Sequence, residues 1–167
     1  PEETAPLVAT EDFEAALATA LTNEYDDFDE KTTIGWGTEI EDSLGILLTA
    51  QAFDTGESTA YFGVQYVGDG WIFFDEMEVR AKDQTSQLLE VRSNEKYTNV
   101  GGGGVVQEVA VVEIDSNIEE IVEMILDDEG AKYRLSGSDG SKEREFTSDE
   151  REAIRDWYTV YLGLSQG

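Results

Sequence analysis

Residues 60–80 read AYFGVQYVGDGWIFFDEMEVR, and this stretch carries the clearest strand pattern in the chain. Two runs rich in aromatic and β-branched residues, 60–67 and 71–80, flank the loop Gly68-Asp69-Gly70. A short glycine-containing loop between two such runs is typical of a β-hairpin with a bulge. We therefore expect the two runs to pair as an antiparallel hairpin.

Similar runs on either side of this stretch predict further strands. Residues 33–40 and 44–53 precede it, and residues 87–92 and 105–114 follow it. The connectors in which we expect no strand are residues 23–30, which contain five acids, and residues 94–104, which end in four glycines.

Three segments show the 3.6-residue period of an amphipathic helix. Thr10 is the expected N-cap of the first, and the other two begin with the capping boxes Ser116–Glu119 and Thr147–Glu150. Their apolar stripes are Phe13, Ala16, Leu17, Ala20 and Leu21; Ile118, Ile121, Val122, Ile125 and Leu126; and Ile154, Trp157, Tyr158, Tyr161 and Leu162.

The order of these elements predicts an α+β fold. We expect a mostly antiparallel β-meander sheet of about eight strands, with an N-terminal helix, a helix before the last hairpin and a C-terminal helix. The last hairpin joins residues 132–136 to 141–146, and its alternating charges predict cross-strand ion pairs. Residues 1–9 are expected to be a flexible N-terminal tether, and residues 10–167 a single acidic α+β domain.

The composition excludes several kinds of chemistry. The chain has 38 Asp and Glu against 11 Lys and Arg, a formal net charge of −27, and neither His nor Cys. It therefore has no thiol nucleophile, no imidazole or thiolate metal ligand, and no triad built on His. Because this charge repels nucleic acids and attracts hydrated cations, we expect no nucleic-acid partner.

The acidity is typical of a salt-adapted protein. Carboxylates that repel each other in dilute buffer are screened when the Debye length falls from about 10 Å at 0.1 M salt to about 3 Å at 1 M. We expect an exported or cell-envelope protein, with a signal peptide or lipoprotein anchor removed ahead of Pro1; the cytoplasm of a halophile is the alternative. No stretch has the ~20 apolar residues of a transmembrane helix.

Asp75 is the one carboxylate that the strand pattern marks as a candidate for acid catalysis. Regular alternation places it on the same face as Phe73 and Met77. A carboxyl group in apolar surroundings has a raised pKa and can act as a general acid. The alternative, which we favour, is that Asp75 lies where the strand emerges into water or accepts a structural hydrogen bond, so no catalytic residue is assigned.

Calcium is the metal that suits this residue set best, because it prefers oxygen ligands and needs neither His nor Cys. Two acidic clusters are candidates: Asp26, Asp27, Asp29 and Glu30, and, at the end of a predicted helix, Asp127, Asp128 and Glu129. Neither cluster has the spacing of an EF-hand loop. A solvated surface is the preferred explanation of both, and no metal or other cofactor is assigned.

Aromatic side chains form a platform for a glycan or a peptide when they are exposed together. The candidates are Trp36, Tyr61, Tyr66, Trp71 and Tyr97. We expect most of them in the core.

Three segments resemble small uncharacterised bacterial β-rich proteins that are often exported. The segments are YVGDGWIFF at residues 66–74, the glycine-led strand at 104–114, and FTSDE at 146–150 leading into a helix. In those proteins a strand pair with a Tyr-x-Gly-Asp-x-Trp turn precedes a late hairpin and a closing helix. The resemblance covers residues 60–163 and implies a fold but no catalytic residue.

These observations predict a non-enzymatic acidic module that binds a protein or glycan partner in a salt-adapted organism. A carboxylate-based hydrolase is one alternative, and it requires a cleft in which one of two acids has a raised pKa. A calcium-binding protein is the other. The sequence leaves the oligomeric state open.

Overall fold

Two antiparallel sheets and three helices form the protein in a computed structural model that describes residues 10–166. The helices are α1 (Thr10–Ala18), α2 (Ser116–Asp127) and α3 (Ser148–Gln166). Within the described residues the strands are β1 (Thr22–Asp26), β2 (Lys31–Gly37), β3 (Leu44–Phe53), β4 (Ser58–Gly68), β5 (Phe74–Arg80), β6 (Ser86–Glu90), β7 (Lys96–Val100), β8 (Val106–Glu113), β9 (Lys132–Gly137) and β10 (Gly140–Glu145).

The strands form a six-stranded sheet A, in the order β1-β2-β3-β4-β8-β7, and a four-stranded sheet B, in the order β10-β9-β5-β6. The predicted α+β class, the three helices and the last hairpin are confirmed. The predicted single meander of about eight strands is instead divided between two sheets. The predicted tether, residues 1–9, lies outside the described residues.

The predicted central hairpin is wrong, because its two strands belong to different sheets. In sheet A, β4 pairs with β3 and β8, whereas in sheet B β5 pairs with β6 and β9. Residues 69–73, which we call the crossover, carry the chain from one sheet to the other. At its end Phe73 has a φ of 53°, in the left-handed region that non-glycine residues rarely adopt.

Both connectors that were expected to lack strands contain one. Residues 23–30 contribute most of β1, which pairs with β2, and residues 94–104 contain β7, which pairs with β8. These are the two edge strands of sheet A, and their side chains are almost all exposed. An edge strand that buries nothing has no apolar alternation, so the sequence gives no strand signal there.

One hydrophobic core lies between sheet A, sheet B and the helices. In β2, β3, β4, β7 and β8 the even-numbered residues face this core, and in the paired register they stand side by side. Phe62 of β4 contacts Trp157 of α3 edge to face, at 6.0 Å between ring centroids. The Trp157 indole N–H donates to the carbonyl of Thr49 at 2.7 Å, which fixes α3 across sheet A.

The helix ends agree with the sequence at one capping box and not at the other. Thr147 and Glu150 exchange the expected side-chain to backbone hydrogen bonds, at 3.0 and 3.1 Å. The N-cap of α2 is Asp115 rather than Ser116, since the Asp115 carboxylate accepts from the N–H of Ile118 at 2.9 Å. Leu21, predicted on the first helical stripe, lies beyond the end of α1 and is 72% exposed.

Gly137 lies where the β9–β10 hairpin meets the crossover, and its missing side chain makes that contact feasible. A Cβ atom at this position would overlap the carbonyl of Phe73 and lie 2.5 Å from the carbonyl oxygen of Ile72. Both obstacles are backbone atoms, so a side-chain rotation cannot relieve them. The β9–β10 hairpin would have to move away from the crossover.

We therefore expect Gly137→Ala to lower the free energy of unfolding by about 2–3 kcal/mol, since overpacking forces the backbone to shift. Gly70→Ala is the matched control in the crossover, because a Cβ there meets no atom within 4 Å. Its expected effect is at most about 1 kcal/mol, in the stabilising direction. Urea denaturation at constant salt measures both, and equal stability of the two variants would contradict the close contact.

Candidate functional site

A buried carboxylate that the sequence analysis did not single out, Glu108 of β8, holds the crossover in place. Its Oε2 accepts from the backbone N–H of Ile72 at 2.8 Å and of Phe73 at 2.9 Å, and its Oε1 accepts from the N–H of Phe74 at 2.9 Å. The Glu108 residue is 0% exposed. One side chain of sheet A thus satisfies three consecutive backbone donors on the way into sheet B.

Lys96 of β7 neutralises this buried charge. Its Nζ lies 2.9 Å from Glu108 Oε1, donates to the carbonyl of Phe74, and sits 4.5 Å from the centre of the Phe74 ring. Burial acts to raise the pKa of Glu108, but the hydrogen bonds from Lys96 and from the three backbone N–H groups lower it below its ordinary value. Glu108 is therefore a structural anion and unsuited to donate a proton.

A second buried carboxylate, Glu150, joins α3 to the last hairpin. The guanidinium of Arg144 donates to both of its oxygens, at 2.8 and 2.7 Å, and also to the carbonyl of Leu44 in β3. The hydrogen bond to Glu150 raises the pKa of Arg144, which is already high, so Arg144 stays charged. Throughout residues 10–166, every buried side-chain nitrogen or oxygen that the structure describes has a hydrogen-bond partner.

Asp75 does not lie on the apolar face. The pairing of β5 with β9 skips it, since Phe74 stands opposite Gly137 and the next residue, Glu76, stands opposite Ser136. This β-bulge shifts the alternation between inward and outward side chains by one residue. Phe74, Met77 and Val79 therefore face the core, and Asp75 is exposed. The structure therefore shows the alternative that we favoured, an acid where the strand emerges into water.

The two calcium candidates are not gathered into metal sites. Asp26 accepts from the N–H groups of Phe28 and Asp29, and Asp128 accepts from those of Lys82 and Gly130, so both carboxylates cap turns. The remaining candidate carboxylates are those of Asp27, Asp29, Glu30, Asp127 and Glu129. No group of three or more acidic side chains within the described residues is placed to hold a metal ion.

An arginine side chain supplies the positive charge at the C-terminal end of α2. Its last turn contains no basic residue, which is why the sequence suggested a bound ion there. Arg151 of α3 instead donates to the carbonyl oxygens of Ile125 at 3.1 and 3.2 Å and of Leu126 at 3.0 Å. The carbonyl end of the helix is satisfied within the protein.

A groove of about 710 Å³ runs between β6, the end of β8 and the start of α2. Four of its lining residues are Glu90, Glu95, Glu113 and Asp115. Three of these carboxylates already accept structural hydrogen bonds: Glu95 from the N–H of Arg92, Glu113 from Thr59, and Asp115 at the α2 N-cap. Among these four acids, only Glu90 has no such hydrogen bond.

The aromatic candidates are scattered. Trp36 and Tyr66 are buried, Tyr61 and Trp71 are half-buried, and Tyr97 is 62% exposed. Tyr61 and Tyr97 lie on the same side of sheet A, but two strands and four residues apart in register, which is about 16 Å. A single aromatic platform is therefore not formed by these five side chains.

The side of sheet A that faces away from the core carries few charges. It consists of the odd-numbered residues of β2, β3, β4, β7 and β8 and of the β1 residues paired with them, Thr22, Glu24 and Asp26. Of these described positions Glu24, Asp26, Lys31 and Glu113 are charged, all toward one end of the sheet, although 29% of the chain is charged. We call the uncharged part the neutral face: odd-numbered residues 35–37, 45–49, 61–67, 97–99 and 107–111.

The neutral face combines apolar side chains with glycines, hydroxyls and amides, and Ile40 lies over it at Gly45. Leu47, Tyr61, Val109 and Val111 project from it half-buried, and none of them belongs to the core or packs against it. Gln107 donates to Gln65 at 2.8 Å in the middle of the face. Two exposed apolar side chains at its rim, Leu21 and Ile40, lie beside Gly37 and Gly45.

The outward side of sheet B, in contrast, is strongly charged. Arg134 of β9 pairs with Glu78 of β5 at 2.7 Å and with Glu143 of β10 at 3.5 Å, and Lys132 adds a longer contact with Glu143 at 3.9 Å. These pairs confirm the cross-strand ion pairs predicted for the last hairpin. The protein thus has one strongly charged sheet surface and one neutral sheet surface.

No protein-family model, curated protein or solved structure matches the chain. The resemblance to small exported bacterial proteins therefore stays a prediction. Within the described residues, no helix combines the length and the apolar character needed to cross a membrane.

We expect Glu108→Gln to lower the free energy of unfolding by about 3–5 kcal/mol at pH 7, because it breaks the buried ion pair with Lys96. It also places the side-chain NH₂ group of the glutamine against backbone N–H groups, which are donors as well. A lowered pKa stabilises the fold above the ordinary value of 4.5, and this contribution is lost as the pH falls through the pKa of the folded state. The difference from the natural chain should therefore shrink below pH 4.5.

Glu113→Gln is the matched control, since Glu113 lies on the same strand and is exposed. Its expected effect is within about 0.5 kcal/mol at every pH. Denaturant titrations between pH 3 and 7 measure both variants. A Glu108→Gln effect that equals the control, or that does not decline in acid, would show that the crossover does not depend on this carboxylate.

Proposed function

We propose that the chain is a non-enzymatic, salt-adapted interaction module that binds its partner through the neutral face. The observation that carries this proposal is the contrast between a net charge of −27 and a sheet surface without charges. A contiguous uncharged surface in a very acidic protein is a candidate interaction surface.

The physical chemistry of binding favours this surface over the rest of the molecule. Bringing a partner onto exposed carboxylates removes water from charged groups, which is costly unless each one is paired. On the neutral face the groups that lose water are apolar side chains, glycines and the amide pair Gln65–Gln107. Association there gains hydrophobic free energy without a large desolvation cost.

The two alternatives have less support. A carboxylate-based hydrolase needs an acid with a raised pKa, whereas the buried Glu108 has a lowered one and Glu150 is held by Arg144. Asp75, the candidate named from the sequence, is exposed on a bulge. A specific calcium site lacks a cluster of ligands within the described residues.

Salt adaptation, with an exported, cell-envelope or halophile-cytoplasm location, is part of the same proposal. The carboxylates that the structure describes lie mostly at the surface, where they repel one another through water. Screening should relieve that repulsion as the Debye length shrinks.

We therefore expect the melting temperature to rise by many degrees between 0.05 M and 3 M KCl, measured by circular dichroism at fixed pH. Millimolar CaCl₂ matched to NaCl in ionic strength is the control for a specific metal effect. A flat response to KCl would contradict salt adaptation, and a rise with calcium that NaCl does not reproduce would favour the calcium-binding alternative.

Site-specific photo-cross-linking tests the interaction surface. With benzoylphenylalanine in place of Val109, on the neutral face, we expect a discrete cross-linked product in cells of the organism that encodes the chain. Leu88 is the matched control position, because it is an apolar, 43% exposed strand residue on the outward side of sheet B. Products that are equal at both positions, or absent from both, would contradict the proposal.

A further inference from the structure

We propose that the partner on the neutral face is a second copy of this chain, with the two sheets A packed face to face. This inference rests on the function proposed above for the same surface. The proposed interaction is then a symmetric dimer, in which the neutral face of each copy is buried against the neutral face of the other.

Charge is the first argument for a second copy. A basic partner would be drawn to the acidic surface of the molecule and would have no counter-charge to meet on the neutral face. Two copies of −27 repel each other wherever acidic surfaces meet. The neutral face is the large described surface on which they can meet without placing one carboxylate against another.

The relief of the face is the second argument. Leu47, Val109 and Val111 project from the sheet, whereas Gly63, which stands between Leu47 and Val111 in register, leaves a hollow beside them. The hollow at Gly63 is enforced, since a Cβ atom there would lie 2.8 Å from the carbonyl oxygen of Leu47. Projections and hollows on one surface allow two copies to interdigitate about a two-fold axis, as the inner faces of a β-sandwich do at a separation of about 10 Å.

The area of the face is the third argument. The neutral face has runs of three to seven residues on five adjacent strands, 23 positions in all. At about 4.8 Å by 3.3 Å for each position these outline about 360 Å² on each copy. The two outlines together cover about 730 Å², and projecting side chains raise the accessible area towards the lower limit of a specific interface, about 1,000–1,200 Å². The dimer is therefore weak rather than permanent.

A weak dimer between two polyanions depends on salt. At 0.1 M salt the Debye length of about 10 Å leaves the carboxylates around the rim repelling their counterparts, and at molar salt the length of about 3 Å removes most of that repulsion. The hydrophobic contact itself does not weaken in KCl. The chain is therefore a monomer in dilute buffer and a dimer in concentrated salt.

Sedimentation equilibrium of the purified chain in 0.1 M and 3 M KCl, over a series of protein concentrations, tests this directly. We expect the mass of the 18.5 kDa monomer at low salt and twice that mass at high salt. Val109→Glu should raise the dissociation constant at 3 M KCl at least tenfold, because the two-fold axis brings the new carboxylates close together. Leu88→Glu, on the outward side of sheet B, should leave it unchanged.

Asn99→Asp is a second, gentler variant in case Val109→Glu disturbs the sheet. Its side chain keeps the same shape, and Oδ1 can still accept from the N–H of Val100 as it does now at 3.0 Å. We expect a several-fold weaker dimer with an unchanged circular dichroism spectrum. A monomer at every salt concentration, or a dimer that both neutral-face variants leave intact, would overturn the inference.

The outcome also separates this inference from the function on which it rests. A cross-link from position 109 to a different protein, in a chain that sediments as a monomer, would overturn the dimer and leave the interaction module standing. Absence of both the cross-link and the dimer would remove both.

Discussion

Three consecutive backbone N–H groups, those of Ile72, Phe73 and Phe74, need an acceptor as the chain leaves sheet A for sheet B, and the Glu108 carboxylate accepts all three. The rest of the architecture depends on this contact. It holds Phe73 in its left-handed conformation, orients β5 into sheet B, and allows Gly137 to bring the last hairpin against the crossover. Lys96 of the edge strand β7 neutralises the Glu108 carboxylate. The order of this exposed edge is therefore linked to the order of the junction between the two sheets.

Local signals predicted the parts of the fold that bury their own side chains. The apolar stripe of α3, the capping box at Thr147 and the residues of β3 are readable because each depends on neighbours a few positions away. The crossover was not predictable in this way, since a glycine loop looks the same in a hairpin and between sheets, and its deciding contact joins residues 34–36 positions apart. An acid at an inward position of β8, between Val106 and Ala110, was the one sequence signal that could have revealed it.

The charged residues and the neutral face occupy different parts of the surface. The charged residues occupy connectors, edges and the outward side of sheet B, where Glu78 and Arg134 also tie strands together. The odd positions of β3 and β4 carry no charge and those of β8 carry only Glu113, and this distribution is visible in the sequence only once the register is known. The composition therefore indicated an acidic surface, whereas the position of the neutral face required the pairing of particular strands.

Strands β3 and β4 are apolar or neutral on both sides, and this has a consequence for the chain before it folds. Segments of this kind adhere to one another when they are exposed, since neither face presents a charge to prevent misaligned pairing. In dilute buffer the overall negative charge keeps unfolded chains apart, and concentrated salt removes that protection. Under the salt adaptation proposed above, conformational stability and colloidal stability respond to salt in opposite directions. The range of salt in which newly made chains reach the native state without aggregating is then narrower than the range in which the folded protein persists.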